Sequence, residues 1–274
     1  MSCNPAQHRY REFEHAAWER AAANYADSFE TVTAPFARPL LDAVGCSAGS
    51  RLLDVACGGG FVCSLAASMG AVTTGVDFSA GMVARSRERY PLISFAEADA
   101  EHLPFPDGSF DRVVIGFGVH HFSNPQLAIA EARRVLGAGG RLAFTVWCAT
   151  DHVLQHVLTD AIRQGGVAGT SLPTPPKGDI NEIDSCLNLL REAGFGSGET
   201  STRKLEKPVV IESAAKLIEL LRKGTARSSA LIRAQPPEVL PSVIAALGAA
   251  LQPYKRGTGY NVPAVAILAV ATRS

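Results

Sequence analysis

A glycine-rich turn between an apolar strand and a helix is the stretch of this chain best suited to binding a small ligand. Residues 52–56 run into Cys57-Gly58-Gly59-Gly60, and a helix is predicted directly after the turn. Glycine at 58 and 60 permits a positive φ and lets a ligand approach the backbone closely. The helix offers free N–H groups and the positive end of its dipole. A second predicted strand ends in Asp77, where a carboxylate is placed to accept both hydroxyls of a ribose. The pattern therefore predicts a site for a ribose-bearing ligand.

The spacing of this turn differs from that of the common nucleotide-binding loops. The acid and the glycines read D-x-x-x-G-x-G, from Asp54 through Gly58 to Gly60. The dinucleotide fingerprint G-x-G-x-x-G lacks its third glycine here, and no Walker lysine follows the loop. The sequence therefore disfavours a dinucleotide or a nucleoside triphosphate as the ligand.

Two adjacent histidines, His120 and His121, follow the fourth predicted strand. In open α/β sheets ligands bind beyond the carboxyl ends of the strands. Imidazole titrates near pH 6.5 and can take a proton from a hydroxyl, an amine or a carbon acid. We favour His121 as a general base, with His120 and Tyr25 as further catalytic candidates. The alternative is that the histidines only orient the loop.

The elements that must position these residues alternate between strand and helix. Strands are predicted at 51–55, 72–76, 93–97, 111–117 and 141–147, and helices at 61–69, 79–89 and 125–136. Such alternation produces an α/β fold with a mostly parallel, doubly wound, Rossmann-like sheet and helices on both faces.

The flanking regions are predicted to be largely helical. Residues 5–45 are expected to form a helical cap that carries Trp18, Tyr25 and Phe29 on one face, with Pro35 opening the helix 36–44. After Trp147 the sequence predicts, in order, a helix at 151–164, a Gly/Pro-rich loop at 165–178 that includes Pro176, a helix at 181–193, a strand at 203–211, helices over 212–251 and a last strand at 262–272.

Five segments follow one another in the order found in the class I methyltransferases that use S-adenosylmethionine (SAM), and the chain resembles that family over about residues 50–147. The resemblance is closest to the small-molecule branch that includes the quinone and other biosynthetic C- and O-methyltransferases (methyltransferase type 11-like). Gly59 departs from the family, which often has Thr or Ser there. The segments are Asp54–Gly60, Gly75–Met82 (GVDFSAGM), Ala98–Phe105 (ADAEHLPF), Phe110–Val114 (FDRVV) and Glu131–Gly140 (EARRVLGAGG).

The resemblance implies SAM as cofactor and S-adenosylhomocysteine (SAH) as product. Asp54 would organise the cofactor loop, although it could simply cap the following helix. Asp99 would accept from the adenine amino group, and Phe78 and Met82 would border the adenosine unless they only pack in the core. The implied cofactor-binding residues are Asp54, Ala56, Gly58, Gly60, Asp77, Phe78, Met82, Asp99, Ala100 and Gly116. The candidate acceptor-binding residues are Trp18, Tyr25, His121, Trp147 and His152.

The resemblance also implies a domain organisation and an antiparallel last strand inserted in the sheet. One methyltransferase domain would span 1–274, with a cap at 1–45, a SAM-binding core at 50–147, lid segments at 148–180 and 212–260, and the last strand at 261–274. Because the cap and lid segments are rich in Ala, Leu, Val and Ile, we expect them to enclose a largely apolar acceptor cavity.

Composition narrows the function further. The formal net charge is zero and the isoelectric point is about 7.0, so nothing predicts attraction to nucleic acid or to an anionic membrane. No apolar run is long enough to span a bilayer, and the N-terminus lacks a signal-peptide core, so we expect a cytoplasmic protein. The six cysteines are expected to be reduced thiols. His152 and His156 share a helical face but lack the intervening glutamate of a zinc helix, so no metal is expected.

We therefore expect a SAM-dependent methyltransferase that modifies a carbon, oxygen or nitrogen of a small, partly apolar molecule in biosynthesis. One alternative is an enzyme of the same fold that uses SAM as a scaffold for a cyclisation or a decarboxylation. Another is a non-catalytic regulatory protein that binds SAM. Methylation of nucleic acid is disfavoured because no Asn-Pro-Pro-Tyr-type motif is present. The identity of the substrate and a homo-oligomeric state are left open.

Overall fold

The computed structural model describes residues 4–167, 169, 171–175 and 178–274. Residues 1–3 of the predicted cap, with Cys3, and Pro176 of the predicted loop lie outside the described residues. The helices are α1 (Pro5–Ala21), α2 (Glu30–Thr33), α3 (Ala37–Ala43), α4 (Phe61–Ser68), α5 (Ala80–Arg89), α6 (Pro125–Val135), α7 (Val153–Gly165), α8 (Ile183–Glu192), α9 (Ala214–Gly224), α10 (Arg227–Arg233) and α11 (Leu240–Ala250). The strands are β1 (Arg51–Val55), β2 (Val72–Asp77), β3 (Ser94–Glu97), β4 (Phe110–Gly116), β5 (Leu136–Trp147), β6 (Thr200–Ile211), β7 (Lys255–Arg256) and β8 (Gly259–Thr272).

The strands form one eight-stranded sheet in the order β3-β2-β1-β4-β5-β8-β6, with β7 paired to β8. Strands β1 to β5 run parallel, whereas β8 lies antiparallel between β5 and β6. The predicted doubly wound sheet with an inserted antiparallel last strand is therefore confirmed. Because β1 pairs with β2 on one side and with β4 on the other, the strand order reverses there. The crevice beyond the carboxyl ends of β1 and β4 is the switch point at which such sheets bind ligands.

The central strands are apolar because helices cover both faces of the sheet. Val113, Val114 and Ile115 of β4 are fully buried. On one face the core includes residues of α6 and α8, and on the other it includes residues of α3 and α4. A rigid sheet of this kind holds its strand ends, and hence the crevice, in fixed positions.

The prediction that one helix carries Trp18, Tyr25 and Phe29 on a single face is wrong, because the chain forms turns between Ala22 and Phe29. Helix α1 ends at Ala21, and the Ser28 hydroxyl donates to the Asn24 carbonyl at 2.6 Å in the turns that follow. Serine and asparagine side chains bond to nearby backbone and so compete with the helix. Tyr25 and Phe29 are therefore held on turns rather than on the helix face of Trp18. Pro35 lies in a 3₁₀ turn, and the next helix begins at Ala37, one residue later than predicted.

Helix α1 lies across the switch-point crevice. Asn4 caps its N-terminus, and Tyr10, Glu14, Ala17 and Ala21 form its buried face. The Tyr10 hydroxyl donates to the carbonyl of His120 at 2.7 Å, beside the end of β4. The N-terminal helix therefore packs directly on the loop that carries both candidate histidines.

Candidate functional site

The glycine-rich loop uses its own N–H groups to hold its shape. Gly58 donates to the Asp77 carboxylate at 2.9 Å, and Gly60 donates to the carbonyl of Cys57 at 3.0 Å. Gly60 has a φ of 84° and precedes α4, and a Cβ there would lie 2.9 Å from Phe95 Cζ. A dinucleotide loop keeps such donors for a pyrophosphate. The observed bonds therefore agree with the sequence-based argument against a dinucleotide.

Gly59 is explained by an ion pair that lies over the loop. Arg89 pairs with Glu30 at 2.9 Å and also donates to the carbonyl of Gly59 at 2.9 Å. A Cβ on Gly59 would lie 2.6 Å from a Glu30 carboxylate oxygen and 2.7 Å from an Arg89 guanidinium nitrogen. The Thr or Ser often found at this position in the methyltransferase family that the chain resembles would displace the ion pair between Arg89 and Glu30.

Two residues with side chains adopt left-handed backbone conformations on opposite sides of the crevice. Ala56 follows β1 and Phe117 follows β4, and each has a φ of 58°. Such conformations cost about 1–3 kcal/mol and tend to occur at functional sites. A Cβ on Gly118 would lie 2.7 Å from the Cβ of Ala56, so the two loops touch. Sequence reasoning did not single out Phe117, because nothing in its local pattern requires a positive φ.

The crevice opens into a first cavity with about 880 Å³ of empty space, counting its mouth. An adjoining pocket contains the Asp54 side chain and shares Tyr25 and other residues with the first cavity. Gly60 borders neither space, so it shapes the loop without facing a ligand. The other predicted cofactor-binding residues line the first cavity: Ala56, Gly58, Asp77, Phe78, Met82, Asp99, Ala100 and Gly116.

Asp77 is placed to bind a diol. One carboxylate oxygen accepts from the Ser79 N–H at 3.0 Å and the other accepts from the Gly58 N–H at 2.9 Å. Each carboxylate oxygen can accept two hydrogen bonds, so one position on each remains for a hydroxyl. Burial raises the pKa of Asp77 to about 6.

Asp54 lies deeper, at the end of β1, and is 1% exposed. Its carboxyl accepts a weak hydrogen bond from the Cys63 thiol at 3.6 Å. Burial raises its pKa to about 8, so the protonated form prevails at neutral pH. The loop-organising bond to Gly58 comes from Asp77 instead, which leaves the Asp54 carboxyl beside the adjoining pocket.

Asp99 already has protein partners. Its carboxylate accepts from the Glu101 N–H at 2.9 Å and pairs with Arg11 of α1 at 2.7 Å. An adenine amino group would therefore have to share Asp99 with Arg11, a residue that sequence reasoning missed. Ala100 is buried beside it, on the wall of the first cavity.

A second cavity lies on the other side of a shared wall and contains about 1080 Å³ of empty space, counting its mouth. Five residues line both cavities: Trp18, Phe29, His120, His121 and Trp147. The lining of the second cavity is mostly apolar, as predicted, and its far wall adds polar residues of α7, of α10 and of the segment before α8. The far wall includes Leu154, Ile180 and Leu221 together with His152, Gln155, Asp179, Asn181, Arg227 and Ser228.

His121 has a buried carboxylate as its partner. Its Nδ1 lies 2.9 Å from Oε2 of Glu14, and the two side chains are 17% and 0% exposed. The indole N–H of Trp18 donates to the same oxygen at 3.1 Å, and its ring meets the His121 ring edge-on at 4.9 Å. Sequence reasoning missed Glu14. The signal that could have identified it is its helical spacing from Tyr10, Ala17 and Ala21, which places an acid on the otherwise uncharged buried face of α1.

The other two catalytic candidates are less suited to accept a proton. Burial, followed by the proximity of His121, lowers the pKa of His120 well below its usual value. Its Nδ1 is buried without a hydrogen-bond partner among the described residues. Burial raises the pKa of the Tyr25 phenol far above its usual value, and its hydroxyl lies 3.4 Å from that of Thr33. Of the three, the geometry favours His121.

Trp147 separates the two cavities as the centre of a stack. Phe117 lies on one face at a centroid distance of 4.1 Å, and His152 lies on the other at 5.0 Å. Burial, followed by the proximity of His156, lowers the pKa of His152 to about 4. His152 therefore presents a neutral ring to the second cavity.

The described part of the chain lacks the features of a metal site and of a membrane span. No cluster of three or more His, Cys, Asp or Glu residues there is arranged to hold a metal ion. Among the same residues, no helix has both the length and the apolar character that a membrane span requires.

The strand order of the sheet and the crevice at its switch point together define a Rossmann-like fold of the kind found in methyltransferases. Residues 53–144 match a family model described as a methyltransferase domain. The resemblance drawn from the motifs is thereby confirmed over these residues.

A curated relative with the same domain is the demethylmenaquinone methyltransferase of Beutenbergia cavernae. It is 44% identical over 105 residues, which are 38% of this chain and 44% of the relative. The corresponding enzyme of Thermus thermophilus is 42% identical over 101 residues, which are 35% of this chain and 46% of that protein. The chain thus spans less than half the length of these curated relatives.

Solved structures share the fold over nearly the whole chain. Phosphoethanolamine N-methyltransferase 2 of Haemonchus contortus, solved with phosphomonomethylethanolamine and SAH, gives a TM-score of 0.59 at 17% identity, covering 97% of this chain and 60% of that one. The [4+2]-cyclase SpnF gives a TM-score of 0.56 at 21% identity, covering 100% of this chain and 98% of that one. At these identities the likeness establishes the fold alone.

Proposed function

We propose that this chain transfers a methyl group from SAM to a small molecule held in the second cavity. The observation that carries the proposal is the wall shared by the two cavities, which contains His121, Trp18 and Trp147. A methyl donor in the first cavity and an acceptor in the second would meet at this wall. The main task of such an enzyme is to align the two reactants and exclude water.

The residues that line the first cavity support placing SAM there. Each carboxylate oxygen of Asp77 already accepts one backbone N–H, and each has one further acceptor position for a ribose hydroxyl. The Asp54 carboxyl, which has only the Cys63 thiol as its described hydrogen-bond partner, supports placing the ammonium group of the amino-acid end beside it. Phe78 and Met82 supply apolar contacts for the adenosine.

The acceptor is proposed to combine an apolar ring system with polar substituents. The rings of Trp18 and Trp147 lie at the shared wall, whereas Asn181 and Arg227 lie on the far wall. The family match ends at residue 144, before α7, α9 and α10, which contribute to the far wall. The relatives act on demethylmenaquinone by name, and we propose a quinol-like or phenolic acceptor as the first class to test.

His121 is proposed as the general base. A His121→Gln variant should lose turnover by about 10²–10⁴-fold, which is typical of a group that transfers a proton, and should keep its affinity for SAH. The pH–rate profile should lose one limb. His120→Gln is the matched control, since burial keeps His120 neutral, and we expect a smaller effect. Equal, near-native rates in both variants would remove the histidines from the chemistry.

The function is tested with methyl-labelled SAM and a panel of quinols, phenols and amines. We expect SAH to form only when an acceptor is present, together with a product that carries one labelled methyl group. Conversion of an acceptor without label and without consumption of SAM would instead support the scaffold reaction. Tight SAH binding without turnover of any compound in the panel would support a regulatory protein.

A further inference from the structure

The contact between Glu14 and His121 joins the N-terminal helix to the loop after β4. Glu14 is fully buried, and its Oε2 accepts from the Trp18 indole N–H at 3.1 Å while lying 2.9 Å from Nδ1 of His121. Its other oxygen, Oε1, is buried without a hydrogen-bond partner among the described residues. A buried carboxylate is costly unless hydrogen bonds and an opposite charge compensate it. The Glu14 site is therefore built to face a group that can become positively charged.

The contact also determines which nitrogen of His121 carries the proton. An ionised carboxylate can only accept, so Nδ1 must be the donor, and Nε2 of the neutral ring is left with a free lone pair. His121 lines both cavities, and the Trp18 ring packs edge-on against it at 4.9 Å. The ring is thus held in one orientation and one tautomer beside the shared wall.

The surrounding charged groups do not compete for this role. The ring of His120 lies 4.1 Å from that of His121 and stays neutral because it is buried. Asp77 is near enough to His121 to interact electrostatically, but its oxygens are bonded to the Gly58 and Ser79 N–H groups. Glu14 is therefore the carboxylate in direct contact with the ring.

We propose that Glu14 is the positioning residue of a carboxylate–histidine pair whose base is His121. The inference rests on the proposed function. Nε2 of His121 takes the proton of an acceptor O–H, N–H or acidic C–H as that atom forms its bond to the methyl carbon. The electron pair of the breaking carbon–sulfur bond stays on sulfur, and the molecule that remains is SAH. The proton remains on His121, and Glu14 compensates the imidazolium charge.

This arrangement specifies the class of acceptor. A base paired with a carboxylate is needed only when the acceptor arrives neutral and still carries the proton that must leave, such as a phenol, an enol, a quinol or a neutral nitrogen nucleophile with an N–H. An acceptor that is already ionised needs no base. The base is complete only when α1 is in place, because Glu14 and Trp18 both lie on that helix.

Two substitutions separate the hydrogen bond from the charge. Glu14→Leu removes both. Glu14→Gln removes the charge but keeps an oxygen that can accept from Trp18 and His121. Glu12→Gln, on the exposed side of the same helix, is the matched control. We would measure the dissociation constant of SAH, the kcat and the KM for SAM with the acceptor panel, and the His121 tautomer by ¹⁵N NMR, assigned by comparison with His121→Gln.

In the unmodified protein we expect neutral His121 to carry its proton on Nδ1. Glu14→Leu should lose this tautomer and reduce kcat by about 10²–10⁴-fold, as expected for loss of a group that fixes a catalytic imidazole. Glu14→Gln should keep the tautomer and still lose about tenfold or more in kcat, because the imidazolium is no longer compensated. The dissociation constant of SAH and the KM for SAM should stay within about twofold in both variants, and Glu12→Gln should behave as the unmodified protein.

Three results would overturn the proposal. The first is an Nε2-protonated neutral ring in the unmodified protein. The second is a Glu14→Leu enzyme that retains its kcat while His121→Gln loses it. The third is a His121→Gln enzyme with unchanged kcat. Failure of the proposed function is recognised separately, as absence of SAH binding or of labelled product in the unmodified protein. The tautomer measurement needs neither ligand nor acceptor, so it judges the pair even if Glu14→Leu does not fold.

Discussion

Replacing Asp54 by Asn tests the electrostatics of the cofactor pocket. The Asp54 carboxyl is buried at the end of β1, where burial raises its pKa to about 8. An unfolded chain would have a pKa of about 3.9 at this position. The folded protein therefore holds a proton that the unfolded chain releases above about pH 4. This contribution to stability is fully present below pH 4 and is lost as the pH rises through 8.

The size of the effect follows from the two pKa values. At about 1.4 kcal/mol for each unit of pKa, Asp54 contributes about 4 kcal/mol at pH 5, about 1.4 kcal/mol at pH 7 and almost nothing at pH 9. Asn is neutral at every pH and can still accept from the Cys63 thiol. The free energy of unfolding of Asp54→Asn relative to the unmodified protein should therefore rise by about 4 kcal/mol between pH 5 and pH 9.

The same substitution reports on the ligand. With a pKa of about 8, about nine-tenths of the Asp54 carboxyls are protonated at pH 7. If the ammonium group of SAH lies beside this carboxyl, binding at pH 7 releases close to one proton, and affinity rises with pH between 6 and 8. Asp54→Asn should bind SAH more weakly and release no proton.

The assay combines urea unfolding at pH 5, 7 and 9 with calorimetry of SAH binding in two buffers of different ionisation enthalpy. Asp111→Asn serves as a control, because that carboxylate lies at the opposite end of β4 and pairs with Arg51 at the protein surface. A stability difference between Asp54→Asn and the unmodified protein that does not change with pH would refute the raised pKa. Equal proton release by both proteins would refute the pairing with the ligand.

Further predictions concern the ribose, the crevice, the acceptor and the N-terminal helix. Asp77→Ala should weaken SAH binding by about 10²-fold or more in calorimetry, because each hydrogen bond to a charged acceptor is worth about 1.5–3 kcal/mol, and NAD should not bind the unmodified protein; unchanged SAH affinity would exclude Asp77 from the site. Gly118→Ala should lower the melting temperature and the SAH affinity, because its Cβ would lie 2.7 Å from that of Ala56; native values for both would show that the loops can separate freely. Trp147→Ala should raise the KM for the acceptor more than the KM for SAM in steady-state kinetics, and an effect on SAM alone would contradict its place in the acceptor wall. Hydrogen exchange of residues 5–21 and 165–178 should slow when SAH and an acceptor bind, and equal exchange with and without ligands would argue against a lid.

The parts of this structure that follow from local sequence were predictable. The glycine loop, Asp77 and the alternating strands each depend on a few neighbouring residues whose chemistry permits one conformation. The strand order and the inserted β8 followed from resemblance, since no local pattern specifies them. Most of the predicted cofactor-binding residues line one cavity at the carboxyl ends of the strands, where sheets of this kind bind ligands, and their role stays a prediction.

The parts that depend on distant contacts were missed or predicted wrongly. Glu14 becomes a partner of His121 only when α1 folds over the loop after β4, a contact across 107 positions of sequence. The left-handed backbone of Phe117 is imposed by packing at the switch point and has no signature in its neighbours. The helix break after Ala21 has no local sequence signal, and Ser28 donates to the Asn24 carbonyl within the turns that follow.

We propose that two reactants meet at the wall formed by His121, Trp18 and Trp147. A single-turnover experiment with enzyme in excess over methyl-labelled SAM, with each acceptor of the panel, tests it most directly. We expect one SAH and one labelled product for each SAM consumed, no SAH in the absence of acceptor, and a rate that falls by about 10²-fold or more in His121→Gln. Labelled SAM recovered intact with every acceptor, or product formed at the same rate without His121, would contradict it.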